Sequence, residues 1–456
     1  MPKSKIDALK ADTSNPDAQD SNQSQTGILS RLWQGLAKHG HHLNERRQQQ
    51  WLAQACETLY SEIGEAAGVV LARRILECYA KLTPAAKLDF LTTLEKRFST
   101  EPSRINLAIS EYQQSPNAKT SQQLHQATQS RRQEVIRRLN FAPSGISALL
   151  LMREDIINLL ATHPELNPVD ADFEHLFRSW FNRGFLQMQT IDWNTPAVIL
   201  EKIIRYEAVH AISDWHDLRR RLDPPDRKCF AFFHPMLAND PLIFVEVALT
   251  EHTPNAIAPL LAEERTPIDP SAARTAVFYS ISNCQKGLKG VSFGNFLIKQ
   301  VAAELQRDFP QLRTFVTLSP IPGFTRWLHQ QHGNSVAAHA LNEIDWQDPN
   351  CKNHPMRPIL ERYISTYLLE EKLDRLRPAD PVARFHLGNG ASIENIHWLG
   401  DISTKGINQG ASFMVNYLYD LDHVIANHEA HIKHGTIIAS RQVRALSESK
   451  KISNSV

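Results

Sequence analysis

Apolar residues recur at helical spacing through the first part of the chain, and strand-like runs are nearly absent there. Positions three or four apart carry the apolar side chains, and Pro84, Pro102 and Pro143 interrupt the pattern. The pattern predicts helices at 28–36, 52–63, 68–82, 85–98, 130–140, 144–162 and 170–188. We therefore expect an all-α helical-bundle domain over residues 28–190.

The pattern changes after Trp193, where β-branched and aromatic runs begin. Strands are predicted at 229–234, 242–250, 275–282 and 314–318, with a hairpin-like connection between the first two and a helix at 291–309. Helices are also predicted at 197–209, 324–332, 335–341, 358–372 and 412–423, and a β-rich stretch at 382–403. The order β-β-β-α-β indicates an α+β fold, with a second domain at 191–440.

Composition narrows the function classes. The chain of 456 residues carries 50 Lys and Arg against 49 Asp and Glu, which argues against a general nucleic-acid binder. Five dispersed cysteines fit free thiols, and no apolar run is long enough to span a membrane. The polar composition of residues 1–27 predicts a disordered N-terminal segment, and residues 441–456 are predicted to form a flexible tail. Because no targeting signal is recognisable, we expect a cytoplasmic location.

A glycine-containing turn follows the predicted strand at 275–282 and leads into a helix. Gly290 and Gly294 lack a Cβ, so the backbone can approach a pyrophosphate closely, and a helix start exposes unpaired N–H groups. Lys286 and Lys289 lie within sequence reach. The spacing is neither G-x-G-x-x-G nor Walker A, and it resembles the CoA turn of GNAT-type acyltransferases. Glycine near a helix start is also common in proteins without a ligand there.

Ser319 falls at the carboxyl end of the next predicted strand, at 314–318. In a GNAT-type sheet this strand parts from the strand before the turn, and the pantetheine arm of CoA enters the gap. Pro320 and Pro322 cannot continue a hydrogen-bonded ladder and would make the strand exit rigid. Ser319 is therefore a candidate for contact with a thioester, although serine before proline is also an ordinary turn residue.

Four segments carry a closer resemblance. FYSISNCQKGLKGVSFGNFLIKQ, TLSPIPGFTRWL, PVARFHLGNGA and NYLYDL stand in this order and resemble the malonyl-CoA decarboxylase family. The resemblance runs from about residue 29 to 422 and is strongest after residue 229. It implies a helical N-terminal domain, a GNAT-like catalytic domain with a central mixed sheet, and conversion of malonyl-CoA into acetyl-CoA and CO2. It also implies a homo-oligomer, a dimer or tetramer.

The resemblance assigns functional residues as well. It implies that Ser319 and His386 are catalytic, with Tyr419 near the site and Asn389 as a further donor. The implied malonyl-CoA turn comprises Lys289, Gly290, Val291, Ser292, Phe293, Gly294 and Asn295. Ser292 departs from the glutamate expected in animal members, so a network through that carboxylate is not assumed. No metal or other cofactor is expected, because the thioester itself accepts the electrons.

The mechanism expected from these residues is loss of CO2 to leave an enolate, stabilised by backbone donors and protonated by His386 directly or through Ser319. Three alternatives remain open at the level of sequence. A GNAT-type acyltransferase would also have the glycine-containing turn, and a serine hydrolase would also have a serine such as Ser319 as its nucleophile. A catalytically inactive acyl-CoA sensor would bind the acyl-CoA without converting it. A hydrolase normally has a G-x-S-x-G elbow, which Leu318-Ser319-Pro320 lacks.

Overall fold

A computed structural model describes residues 45–61, 64–237, 239–291, 297–333 and 335–448. The predicted N-terminal segment 1–27, the helix predicted at 28–36 and residues 292–296 lie outside these ranges. Contacts divide the chain into two compact units. The first runs to Gly145 and includes Thr162–Val169, and the second comprises Ile146–Ala161 and everything from Asp170 onward. This division differs from the predicted boundary near residue 190, because the helix after Gly145 bonds to the turn at Gly287.

The first unit is helical. Its helices are α1 (Glu45–Tyr60), α2 (Glu65–Ala80), α3 (Pro84–Arg97), α4 (Pro102–Gln114), α5 (Ala118–Thr128) and α6 (Arg131–Leu139). Helix α1 packs against α2, α3 and α6, and α4 pairs with α5. The apolar positions at helical spacing, among them Leu52, Ile75 and Phe90, form the buried core.

Thirteen further helices complete the described α-structure. They are α7 (Gly145–Leu159), α8 (Asn167–Trp180), α9 (Ala197–Tyr206), α10 (Trp215–Leu222), α11 (Ala258–Leu261), α12 (Leu297–Asp308), α13 (Phe324–His332), α14 (Val336–Ala340), α15 (Arg357–Leu369), α16 (Pro381–Gly388), α17 (Thr404–Gly410), α18 (Val424–His434) and α19 (Arg441–Glu448). No helix in the described ranges is long and apolar enough to cross a lipid bilayer.

The second unit is built on one eight-stranded mixed sheet. The strands are β1 (Gln187–Ile191), β2 (Arg227–Phe233), β3 (Ile243–Thr250), β4 (Thr275–Asn283), β5 (Thr314–Thr317), β6 (Ser319–Pro320), β7 (Ser392–His397) and β8 (Met414–Leu418). Their order is β1-β2-β3-β4-β5-β8-β6, with β7 also on β8. Among the strands of the described ranges, β4 and β5 pair in parallel and the other pairs are antiparallel. The predicted fold class is thereby confirmed.

Strands β4 and β5 part halfway along β4. Thr275–Phe278 pair with Thr314–Thr317, and the last bond runs from the Leu318 amide to the Phe278 carbonyl, at 3.0 Å. The β3–β4 register shifts at the same level and leaves Tyr279 as an extra residue. Beyond it, β4 continues to Asn283 without a register partner on β5 among the described residues. Ser319 follows the point of parting.

The prediction of a β-rich stretch over 382–403 was wrong in its first half. Residues Pro381–Gly388 form helix α16, and only Ser392–His397 is a strand. Asp380 caps the helix with its side chain and Pro381 occupies the first helical position, a start signal that the apolar residues around it obscured. His386 therefore lies on a helix.

The helix predicted at 412–423 was also wrong, because Met414–Leu418 is strand β8. Ala411 and Ser412 have φ of 50° and 61°, a left-handed conformation that ends α17 and cannot start another α-helix. The strand that follows is buried on both faces, so it shows no alternation of apolar and polar residues.

Two segment ends differ as well. The helix predicted to reach 188 ends at Trp180, and β1 begins at Gln187, where the polar glutamines of an edge strand concealed the strand pattern. The tail predicted from 441 begins instead as α19, because Val443 is buried and its carbonyl accepts a bond from the Ser365 hydroxyl, at 2.8 Å.

Candidate active site

Three of the predicted site residues form one hydrogen-bonded chain in the second unit. Ser319 Oγ lies 3.1 Å from His386 Nε2, and His386 Nδ1 lies 2.8 Å from the Tyr419 hydroxyl. The Ser319 hydroxyl also donates to Thr317 Oγ1, at 2.9 Å. All four side chains are buried. Residues far apart in sequence are thus connected within a single buried polar chain.

The backbone around these side chains is held by the sheet. Ser319 pairs with Val415 of β8, and the Tyr419 amide donates to the Phe315 carbonyl, at 2.8 Å. Ser319 is therefore fixed by the pairing of β6 with β8, and Tyr419, the residue after β8, by its bond to β5. His386 instead lies in the last turn of the short helix α16, so its position depends on how that helix is anchored.

His386 is enclosed. The ring of Tyr417 stacks on the imidazole with centroids 4.6 Å apart and planes inclined by 23°. Burial lowers the pKa of His386 to about 3, because the charged form loses its hydration. His386 is therefore neutral at pH 7 in this structure. The expected role of His386 as proton donor therefore requires its pKa to rise above this value.

Because His386 is neutral, the donor and acceptor of each hydrogen bond from Thr317 to Tyr419 can be assigned. Because the single Ser319 proton goes to Thr317, the His386 Nε2–H donates to Ser319 Oγ. Nδ1 is then the acceptor and receives the Tyr419 O–H. Thr317 Oγ1 also accepts from the Tyr417 amide, at 3.1 Å, in keeping with its acceptor role toward Ser319.

The low pKa of His386 predicts a pH dependence of stability. The folded state has a pKa of about 3 and the unfolded state one near 6.5, so below pH 6.5 the unfolded chain binds the proton first. The free energy of unfolding should fall by up to about 1.4 kcal/mol for each pH unit between those values. Chemical denaturation of wild type and His386→Asn from pH 7 to 4 measures this contribution as the difference in slope.

The exposed His252 supplies a matched control. His252→Asn should keep the wild-type slope, whereas His386→Asn should show a shallower loss of stability on acidification. Equal slopes for wild type and His386→Asn would contradict a buried neutral imidazole.

Asn389, a predicted substrate-binding residue, lies at the end of α16. Its side-chain amide donates to the Phe385 carbonyl, at 2.6 Å, and its backbone amide to the His386 carbonyl, at 3.0 Å. These bonds close the last turn of the helix that carries His386. Asn389 thus contacts the backbone around His386.

The glycine-containing turn is described only in part. Ser292, Phe293, Gly294 and Asn295 lie outside the described residues. Lys289 is exposed, Gly290 has φ of 82°, which suits a residue without Cβ, and Val291 is buried. The turn borders a cleft of about 460 Å³, which is also lined by Glu154 and Asn158 of α7, by Asn283 at the end of β4, and by Gln285 and Lys286 after that strand.

Arg153 anchors this turn, which the sequence did not indicate. It is buried on α7, donates to the Gly287 carbonyl at 2.9 Å, and pairs with Asp170 at 2.8 Å. Gly287 itself lies against α7 so closely that an added Cβ would be 2.3 Å from the Leu150 carbonyl. A partly buried ion pair thus holds the backbone that leads into Lys289 and Gly290.

An enclosed Ser–His–Tyr hydrogen-bonded chain beside parted parallel strands is an arrangement suited to acid–base chemistry. The chain belongs to the malonyl-CoA decarboxylase family: the family's C-terminal domain model matches residues 184–456, and its N-terminal domain model matches 98–181. Membership of this family makes it an enzyme of the carboxy-lyase class.

Individual proteins that this chain resembles are also named malonyl-CoA decarboxylases. The chain is 34% identical over 342 residues to mitochondrial malonyl-CoA decarboxylase of Mus musculus, covering 66% of this chain and 68% of that one. The goose (Anser anser anser) protein of the same name is 34% identical, with 66% of each chain covered. Crystal structures named malonyl-CoA decarboxylase are also similar. Those from Rhodopseudomonas palustris and Agrobacterium vitis are 51% and 49% identical, with TM-scores of 0.84 and 0.82, each covering 87% of this chain and 99% of the other.

The animal relatives are named as mitochondrial. The cytoplasmic location expected from the sequence stays a prediction, as does a homo-oligomeric state.

Proposed function

We propose that this protein converts malonyl-CoA into acetyl-CoA and CO2, with Ser319 and His386 handling the proton. The observation that carries the proposal is the buried chain from Thr317 through Ser319 and His386 to Tyr419, placed where β4 and β5 part. Family membership supplies the substrate class. The glycine-containing turn at 289–295 is proposed to bind the CoA portion.

The chemistry needs no electron acceptor beyond the thioester. The bond between the carboxylate carbon and Cα breaks, its electron pair moves onto the thioester oxygen as an enolate, and CO2 leaves. One proton then adds to Cα. Donors pre-positioned for the enolate oxygen contribute about 3–4 kcal/mol each at the transition state. Backbone N–H groups of β4 beyond Phe278, where the pairing with β5 has ended, are suitable candidates.

The required proton is proposed to be taken up from solvent by His386 when the substrate binds. A malonyl carboxylate near His386 favours the imidazolium and raises its pKa from the low value that burial sets. The Tyr419 hydroxyl can then turn from donor to acceptor, so the protonated Nδ1 keeps a partner. After CO2 leaves, the Nε2 proton passes through the Ser319 hydroxyl to Cα, and His386 returns to neutral.

Incubation with malonyl-CoA and no acceptor tests the function. We expect CO2 and acetyl-CoA in a one-to-one ratio, and in D2O one deuterium in the methyl group of acetyl-CoA. Absence of both products would reject a decarboxylase, and release of free CoA with malonate would favour a thioester hydrolase. Pro320 has no N–H to supply the usual oxyanion donor after a nucleophilic serine, which is why we expect no hydrolysis.

The role of the turn gives a further prediction. In Arg153→Lys the ion pair can persist, but the ammonium lacks the fork that reaches both Asp170 and the Gly287 carbonyl. We expect KM for malonyl-CoA to rise about tenfold, because one charged hydrogen bond is lost, and kcat to stay within about twofold of the wild-type value.

The exposed pair Arg73–Glu77 provides the control, since Arg73→Lys should change neither constant. A fall in kcat at unchanged KM in Arg153→Lys would show that the anchor acts on the chemistry rather than on CoA binding.

A further inference from the structure

One carboxylate lies between the segments that carry Ser319 and His386. Asp380 Oδ1 accepts the Val382 and Ala383 amides, each at 2.9 Å, and so begins α16. Its other oxygen, Oδ2, is buried and faces Gly323, whose backbone amide favours the charged carboxylate; a Cβ added at Gly323 would lie 3.5 Å from this oxygen. Gly323 ends the Ser319-Pro320-Ile321-Pro322-Gly323 segment.

We propose that Asp380 is a positioning residue that sets the Ser319–His386 contact by joining the start of α16 to the Ser319 segment. The inference rests on the proposed function. Helix α16 has only eight residues, too few to hold its place without its ends. Because His386 lies in its last turn, a shift or tilt at the capped end moves the imidazole relative to Ser319, which the sheet holds.

Capping alone does not explain a buried acid. Serine, threonine and asparagine cap helices as well as aspartate does, without the cost of burying a charge. Asp269 shows the ordinary case: it precedes Pro270, accepts the Ser271 amide at 2.8 Å, and is exposed. Asp380 has the same Asp-Pro start but is fully buried against Gly323, so its second oxygen has a separate role.

The Asp380 carboxyl group also changes its protonation state near neutral pH. Burial raises the pKa of Asp380 to about 6, while the amides of Ala383, Val382 and Gly323 and the Arg384 guanidinium oppose that rise. Tyr367 of α15 and Tyr417 of β8 also face it, and both remain neutral because burial and this carboxylate raise their pKa values. Above pH 6 the charged form holds the two amides more strongly.

Four variants test the proposal: Asp380→Asn and Asp380→Ala, with Asp269→Asn and Asp269→Ala as matched controls. The wild-type kcat should fall as pH drops through about 6. Asp380→Asn keeps a neutral cap, so we expect kcat about tenfold lower at pH 7.5 and no step near pH 6. Asp380→Ala loses the cap and should lose about 100-fold in kcat, with KM little changed. The Asp269 variants should match wild type.

The outcomes separate this inference from the proposed function. An Asp380→Asn enzyme with wild-type kcat and a wild-type step near pH 6 overturns the positioning role, as does loss of thermal stability alone. If Asp380→Ala fails to fold, Asp380→Asn decides. An independent measurement is the ¹⁵N NMR signal of the His386 ring, which is assigned because it is absent in His386→Asn. It should change in Asp380→Asn even if the wild type proved unable to decarboxylate malonyl-CoA, and an unchanged signal also rejects the role.

Discussion

Ser319→Ala is expected to lower kcat for malonyl-CoA by about 100-fold or more, while CoA affinity stays within about threefold. The substitution removes the hydroxyl that accepts the His386 Nε2–H and that we propose passes a proton to Cα. A positioned acid–base group typically contributes 10²- to 10⁴-fold, so about 100-fold is a lower bound. The measurements are acetyl-CoA formation under saturating substrate and CoA affinity by calorimetry. Ser271→Ala, an exposed serine, is the control.

His386→Asn should give a loss of the same order, and the double variant should be scarcely slower than either single one. Groups that act as one unit lose their function together, so their effects do not add. Multiplicative losses in the double variant would show that Ser319 and His386 act separately. Unchanged turnover in either single variant would refute the role assigned to that residue.

The parts of the fold that could be predicted are those with local signals. Strands β2, β3 and β4 combine β-branched and aromatic runs with clear breaks, and α12 has apolar residues on one face. Strand β8 could not be predicted in this way. It is buried by β5, β6 and β7 around it, so its apolar run fits a buried helix equally well. Its strand conformation depends on partners that are distant in sequence.

The site residues also differ in whether a local sequence signal predicts them. Ser319 could be placed from its position after a strand, whereas His386 and Tyr419 depended on a resemblance, because neither has a local signature. The neutrality of His386 follows from enclosure by Tyr417 and the sheet, which one sequence does not show. Arg153 and Asp380 were missed for the same reason: each faces a backbone group far along the chain. The Asp380-Pro381 pair did carry a helix-start signal.

Gly390→Ala is expected to destabilise the protein by about 2–4 kcal/mol and to reduce turnover with it. Gly390 has φ of 84°, which costs an L-residue about 1–2 kcal/mol. An added Cβ would also lie 2.0 Å from the Val424 carbonyl and 2.9 Å from its Cγ2, so α18 or the turn must move. That turn closes α16, since the Gly390 amide donates to Leu387 and the Ala391 amide to the His386 carbonyl.

Gly388→Ala distinguishes these causes from a general effect of replacing glycine. Gly388 lies two residues earlier, has helical backbone, and would place a Cβ with nothing within 4 Å. Alanine there should leave stability unchanged or raise it by up to about 1 kcal/mol, because glycine is the poorer helix former. Denaturation midpoints of the two variants provide the comparison. Equal midpoints would mean that the turn relaxes around the added methyl group, and that the position of His386 does not depend on the left-handed residue that ends its helix.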